Sequence, residues 1–474
     1  MLKSTNLAVQ VKIEHIILNI QNISIFILTL AKTLPDNTYD SSYFYPTARL
    51  MKSFIHTSET SERCSAGQHL HPLDAVIQKL LEAATPIKTV EHVPCLEALN
   101  RTLAEDICAT IAVPPSDNSA VDGYAANTTY APSNTPLSVS QRIPAGTHPT
   151  ELIANTVARI FTGATIPAGA NSVIMQEDTQ LSEHEPPERS PVIFKRPLSI
   201  GNNIRKAGQD IQIGQTILHK GQNLSPQRLG LIASIGVQNI TVFKKLKVAI
   251  VSTGDELVEP GGPLAPGQIY NSNRYMLHAL LKSFGFDVID LGIIEDTLEA
   301  TQHALNAAAQ DADVIITTGG ASVGEEDHIQ AAIKALGSLD LWRVAIKPGK
   351  PFMFGQVAGT PILGLPGNPG AVFVTYAMLA RPFLLKSQGH TNTSVQTSLK
   401  SIAFTLNKAG PRREFLRVRL GGDGRLFRHT NQSSGMLSSA SWAEGFAVIL
   451  EHTTPCENET VEFIPFSSLF SFPI

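Results

Sequence analysis

The 474-residue sequence has few cysteines: Cys64, Cys95, Cys108 and Cys456, with no CxxC pair and no histidine beside them at ligand spacing. That argues against a thiolate zinc site or a disulfide framework and fits a reducing, cytoplasmic setting. GxGxxG and P-loop signatures are absent, so neither common nucleotide-binding loop is in place. No Ser-His-Asp or Cys-His arrangement is evident, and the 14 histidines are scattered, as surface or packing residues are. The net charge of −4, without a basic tract, gives no reason to expect a nucleic-acid partner. Long apolar runs are missing too. The uncharged stretch 16–31 falls short of the roughly 20 residues a spanning helix needs, and Asn19, Gln21 and Asn22 interrupt it. No membrane partner is expected. Lys3 and Lys12 could form a signal n-region, but Glu14 is misplaced for one and no small-x-small cleavage site follows. Residues 1–70 read as a disordered or mis-started leader, with a targeting or anchoring segment as the alternative.

What remains is an ordinary globular composition, 43% hydrophobic and 16% charged. Its length suggests about three domains. Residues 71–246 should hold linker helices and an elongated β-rich region. The first helix spans 73–84, with Val76, Ile77, Leu80 and Leu81 on one face and Pro86 after it. A second short helix is expected to carry Leu96, Leu99 and Leu103. Short β segments broken by Pro and Gly follow to Phe243, with a helix starting at Ser225-Pro226 and stopping at Gly236. Residues 247–390 alternate strands (248–251, 288–291, 314–317, 344–346, 352–354, 361–365) with helices, the pattern of a mostly parallel α/β sheet. From Thr391 only short strands are expected, giving a small C-terminal β-barrel-like domain over 391–474.

The chain is organised around 315–327, IITTGGASVGEED, an apolar strand running into a glycine loop, three acids and a helix start. That is where an open α/β sheet binds ligands, and glycines let backbone N–H groups approach an anion. Three further loops follow strands on the same edge: 252–256 with Asp255 and Glu256, 294–296 with Asp296, and 365–369, LPGNP. Asp296 also heads a capping box, Asp-Thr-Leu-Glu, and Asp327 stands where its helix would be capped. Arg343 and Lys347 flank Val-Ala-Ile, which places them at opposite ends of one short strand; Pro348 and Gly349 fix Lys347 and Lys350 in a turn. Cations beside acids suit an anion bound together with a divalent cation such as Mg²⁺.

Nine segments in order then resemble one family, the MoeA-type molybdopterin molybdenumtransferases, related to one domain of gephyrin. They are DNSAVDGYA (117–125), FTGATIPAGANSVIMQED (161–178), NIRKAGQDI (203–211), STGDEL (252–257), QIYNSNR (268–274), GIIED (292–296), TTGGASVGEEDH (317–328), AIKPGKPFMFG (345–355) and LPGNP (365–369). The resemblance implies insertion of molybdenum from molybdate into adenylylated molybdopterin, with Mg²⁺ required and AMP released. Carried onto this sequence, it implies catalytic roles for Asp117, Asp255, Glu256, Asp296, Asp327 and Lys347, with Asp255, Glu256 and Asp327 at the metal. It implies substrate contacts from Thr162, Asp210, Ser252, Asn273, Gly319, Gly320, Ser322, Arg343, Lys350, Pro366, Gly367, Asn368, Arg412 and Ser434. It further implies a homodimer, each site combining the α/β domain of one subunit with Asp117, Thr162 and Asp210 of the other, and contacts with an adenylyltransferase and with molybdoenzymes. Gln209 stands where the family usually has Glu, and Gly370-Ala371 where Val-Ser is frequent. The other readings are a molybdopterin adenylyltransferase, whose family is a lone α/β domain, a non-catalytic molybdopterin-binding scaffold, and a tungstate-handling variant.

Overall fold

The computed structural model describes residues 70–181, 191–320 and 328–472. Its α/β unit contains strands β1 (Lys247–Thr253), β2 (Asp287–Ile294), β3 (Val314–Thr318), β4 (Gly337–Arg343), β5 (Pro351–Val357) and β6 (Thr360–Leu365). Helices α1 (Ser272–Ser283), α2 (Leu298–Asp311), α3 (His328–Leu336) and α4 (Pro369–Thr375) connect or follow them. The sheet order is β2-β1-β3-β6-β5-β4. The first four strands run parallel, whereas β5 is antiparallel to both neighbours. Both faces are covered, which is why β1 and β3 read as unbroken apolar runs. Val248, Ile250, Val314 and Ile316 join one core with Leu277 and Leu281 of α1. Ala249, Val251 and Ile315 join the opposite core with Leu305 of α2 and Ile329 and Ile333 of α3. Each fully buried Val, Leu or Ile contributes about 1.5–3 kcal/mol.

The helices start and stop for local reasons. Asn271 caps α1 by accepting from the Arg274 N–H, and Gly285 at φ +70° follows its end. Ser225 caps Pro226–Ser234 in the same way, with Pro226 at the first helical position. The chain from Pro369 to Ser387 stays helical but widens into a π turn at Tyr376–Ala380. Pro382, which has no N–H to give, sits just after that turn.

Three expectations are corrected. Leu96 and Leu99 lie on no α-helix; Leu96 is in a single 3₁₀ turn, Cys95–Glu97, and is 97% exposed. The strand Val90–Pro94 pairs with Asn239–Phe243 up to this turn, and Asn100 at φ +62° ends any helical path, while Leu103 is buried by bridging Val242. Residues 344–346 do not form a strand of the α/β sheet; Ile346 instead begins the two-residue strand Ile346–Lys347 of the C-terminal sheet. Ile346 N–H donates to Val344 O in a tight turn, and Val344 bridges His71. Lastly, the region after Thr391 is not strands alone. It includes helices Leu437–Trp442 and Phe466–Leu469, too short to show a helical period in sequence.

Between Ile107 and Leu218 the chain forms several short sheets. The largest orders Ser138–Ile143, Thr156–Ile160, Gly123–Ala126 and Ser172–Met175, with separate apolar clusters on its two faces. At the C-terminal end, Ile346–Lys347, Arg413–Leu420, Gly445–Ile449, Thr460–Pro465 and Ser398–Ser401 lie side by side in that order. Among the described residues no helix is long and apolar enough to cross a membrane.

Candidate functional site

The parallel strands β1, β3 and β6 end together, so their following loops share one edge of the sheet. Two cavities open there and share Gly319, Gly367 and Asn368. They differ sharply in charge.

The first cavity, about 520 Å³, is lined by Gly319, Gly320, Lys347, Pro348, Gly349, Lys350, Pro366, Gly367, Asn368, Ala371, Arg412 and the Gln432–Ser434 loop. Among the described residues its charged lining is Lys347, Lys350 and Arg412, and none of its lining residues is a carboxylate. Gly319 and Gly320 hold φ of +90° and +68°, a conformation suited to glycine, as the chain leaves β3. The far wall comes from the C-terminal region. Gly370 N–H donates to Ser434 O at 2.7 Å, and a Cβ on Gly370 would stand 2.8 Å from that oxygen. The glycine therefore lets the Ser433–Ser434 loop close onto the start of α4.

Lys347 is not where its flanking sequence suggests. Arg343 ends β4 opposite Pro351, whereas Ile346 and Lys347 pair in parallel with Arg413 and Glu414 of the C-terminal sheet. The two cations belong to two sheets, because the turn at Val344–Ile346 breaks the strand between them, and Arg343 lines neither cavity. Lys347 Nζ meets Glu414 Oε1 at 2.9 Å. Glu414 lies 67 residues away and gave no signal in the sequence. Gln432 and Ser433 were equally silent.

The second cavity, about 530 Å³, is lined by Thr253, Glu256, Leu257, the Ile269–Asn273 stretch, Thr318, Gly319, Gly367, Asn368, Pro369 and Gly435. Asn273 Nδ2 donates to Gly367 O at 2.7 Å, tying the start of α1 to the loop after β6. Its Oδ1, the Asn271 Nδ2 and the Ser252 Oγ are buried without a hydrogen-bond partner. Such atoms are costly unless a ligand meets them. Glu256 faces the cavity and Asp255 beside it is exposed. Gly254 has a φ of +140°, and a Cβ there would run into the Glu256 carboxylate. Arg274 braces this wall by pairing with Glu259 at 2.6 Å and Asp290 at 2.8 Å, and these partners raise its pKa, Asp290 foremost.

Asp296 lies half-buried after β2, on the same edge, but lines neither cavity. It does not cap α2: the Thr297 side chain accepts from the Ala300 N–H instead, which removes the capping explanation for the acid. Ser322 and Asp327 lie outside the described residues. Among the described residues no three His, Cys, Asp or Glu side chains gather as a metal cluster. The Asp255 and Glu256 carboxylates and the orphan Asn273 oxygen are hard oxygen donors, which fit Mg²⁺.

Asp117, Thr162 and Asp210 line neither cavity. Asp117 accepts from Lys206 Nζ at 2.7 Å and from the Ala207 N–H, and these bonds, the lysine's first, hold its carboxyl below the usual range. Thr162 donates through both N–H and Oγ1 to Asp122, at 2.7 and 2.8 Å, and the backbone bond contributes most to lowering the Asp122 pKa. Asp122 was passed over as a candidate although it sits in the same motif as Asp117. Gln209 Oε1 accepts from the Lys206 N–H, a capping contact that a Glu could also make.

Comparison with known proteins gives concordant matches along the chain. Family models match residues 71–236 (MoeA N-terminal region, domain I and II), 249–386 (probable molybdopterin binding domain) and 401–466 (MoeA C-terminal region, domain IV). A molybdopterin molybdenumtransferase of Haemophilus influenzae is 37% identical over 404 residues, covering 84% of this chain and 99% of the relative. One from Bacillus subtilis is 36% identical over 320 residues, covering 66% and 74%. The crystal structure of a molybdopterin biosynthesis MoeA protein from Pyrococcus horikoshii superposes with a TM-score of 0.70 at 31% identity, covering 84% of this chain and 99% of that one.

Proposed function

This chain belongs to the MoeA family of molybdopterin molybdenumtransferases, and from that membership we propose how it inserts molybdenum into molybdopterin. The substrates are molybdate and adenylylated molybdopterin, and AMP is released with the help of Mg²⁺. The observation that supports this reading is the pairing of a cavity lined by Lys347, Lys350 and Arg412 with one lined by Glu256. Molybdate, a doubly charged oxyanion, suits the first. Lys347, Lys350 and Arg412 would neutralise it, the Gly319–Gly320 loop would let backbone donors approach, and Ser434 would offer a hydroxyl. The second takes the pterin substrate, with Asn273 on its polar wall, while Ser252, fully buried at the end of β1, lines neither cavity.

Asp255 and Glu256, with Asp327 from the segment that follows β3 in sequence, would hold Mg²⁺, which when bound neutralises phosphate charge. The shared wall of Gly319, Gly367 and Asn368 keeps the oxyanion and the pterin substrate adjacent. Asp296 stays a candidate at this edge, now without a capping role. Asp117, Thr162 and Asp210 act from a second subunit, a reading supported by their absence from the lining of both cavities. The domain limits expected from sequence and a barrel-like closure of the C-terminal strands belong to the same reading. The Ile402–Leu426 bridge supports that closure. A cytoplasmic setting and contacts with an adenylyltransferase and with molybdoenzymes complete it.

The test is AMP release from adenylylated molybdopterin with Mg²⁺, with and without molybdate, by the intact protein and by Asp327→Ala and Glu256→Ala. Molybdate-dependent AMP release that both variants lose is the expected result. Pterin binding with no AMP release under any condition would turn the reading to a scaffold.

A further inference from the structure

We propose that Glu414 is the counter-ion of the oxyanion cavity, a positioning residue that moderates oxyanion affinity through Lys347. The inference rests on the assignment of the cationic cavity to molybdate and adds a residue outside the cavity lining. Lys347, Lys350 and Arg412 place three positive side chains around one cavity, and among the described residues no acid lines it. Glu414 stands outside that surface yet contacts Lys347 Nζ at 2.9 Å. The contact is built in by the backbone, because Lys347 and Glu414 are register partners in the parallel pair that joins the Lys347 turn to the C-terminal sheet. Arg412 Nη1, reaching Ile346 O at 3.5 Å, lies on the same seam. Arg413, between Arg412 and Glu414, is directed elsewhere, to Asp74 and Glu451, which leaves Glu414 to Lys347.

An ammonium carries three donors. Lys347 can therefore keep one on Glu414 and offer the others to an oxyanion. The acid holds the ammonium in place when the cavity is empty and offsets part of its charge when an oxyanion is present. Lys347 and Glu414 are about half and one-quarter exposed, so the offset is that of a partly screened pair. The consequence is an affinity held below what three free cations would give, which favours release of unreacted oxyanion.

The experiment is equilibrium dialysis of molybdate against the intact protein, Glu414→Gln, Lys347→Gln and the double variant, with thermal melting of each and the KM–kcat split for AMP release. Glu414→Gln should tighten molybdate binding about 2- to 5-fold, the range of a partly screened ion pair, and lower KM without raising kcat. Glu414→Asp, which keeps the charge, should restore the original affinity. Lys347→Gln should weaken binding, and in that background Glu414→Gln should change nothing. Weakened or unchanged binding in a folded Glu414→Gln protein, or an equal effect with and without Lys347, overturns the proposal. Failure of the unsubstituted protein to retain molybdate would overturn the transferase reading and this inference with it.

Discussion

Gly254 shows how one backbone angle sets the second cavity. At φ +140°, with an ideal Cβ falling against the Glu256 carboxylate, the position admits glycine and little else. Gly254→Ala should displace Glu256 and lower kcat/KM for AMP release by about 100-fold, the cost of a misplacement near 1 Å, while circular dichroism stays native. His390 gives a residue-scale prediction of another kind. It is buried, contacts Thr102 Oγ1 at 3.0 Å and stacks on Phe472 at 5.3 Å. Burial first, and the charge of Arg381 second, lower its pKa to about 4. The unfolded chain then takes up this proton near pH 6.5 and the folded one only near 4, so stability is lost as pH falls through that window. Denaturant titrations should show about 2 kcal/mol lost between pH 7 and 5 through this group, and His390→Gln should remove that part of the slope. Much at this scale was legible beforehand. Glu256, the two glycines after β3, Lys347, Lys350, Arg412, Asn273 and Ser434 all reach a cavity wall. Glu414 was not legible, because an ion pair between residues 67 apart leaves no local pattern.

At the scale of elements, the start of α4 and the Ser433–Ser434 loop act as one unit. Gly370 N–H bonds to Ser434 O, and a side chain there would push the loop outward. Gly370→Ala should weaken molybdate binding about 10-fold, a modest overpacking cost, measured by dialysis, with the melting temperature of the fold nearly kept. Elements with a long period were readable: α1 and Leu73–Ala83 bury the faces that their leucines mark. The misread elements were short and decided by distant partners. Residues 344–346 look like a strand because Val and Ile favour one, yet His71 and Arg413 take their backbone bonds. Leu96 and Leu99 have helical spacing, but the neighbouring ladder to Asn239–Phe243 holds the chain extended almost to Leu96.

At the scale of the molecule, Asp117, Thr162 and Asp210 stand apart from both cavities, and the family reading brings them in from a partner subunit. Co-refolding Asp117→Ala with Lys347→Ala, each inactive alone, should then recover about a quarter of the wild-type sites, as random pairing in a twofold dimer gives one intact site per mixed dimer. No recovery would place these residues outside the shared site. The crossing at Val344–Ile346 has its own consequence. Within three residues the chain leaves the α/β sheet at Arg343 and joins the C-terminal sheet at Ile346, which sets Lys347 opposite Glu414. That span works as a spacer of fixed count. Adding or deleting one residue there would turn the lysine to the opposite face of its strand, so the length of this span, as much as its sequence, sets where the cation stands.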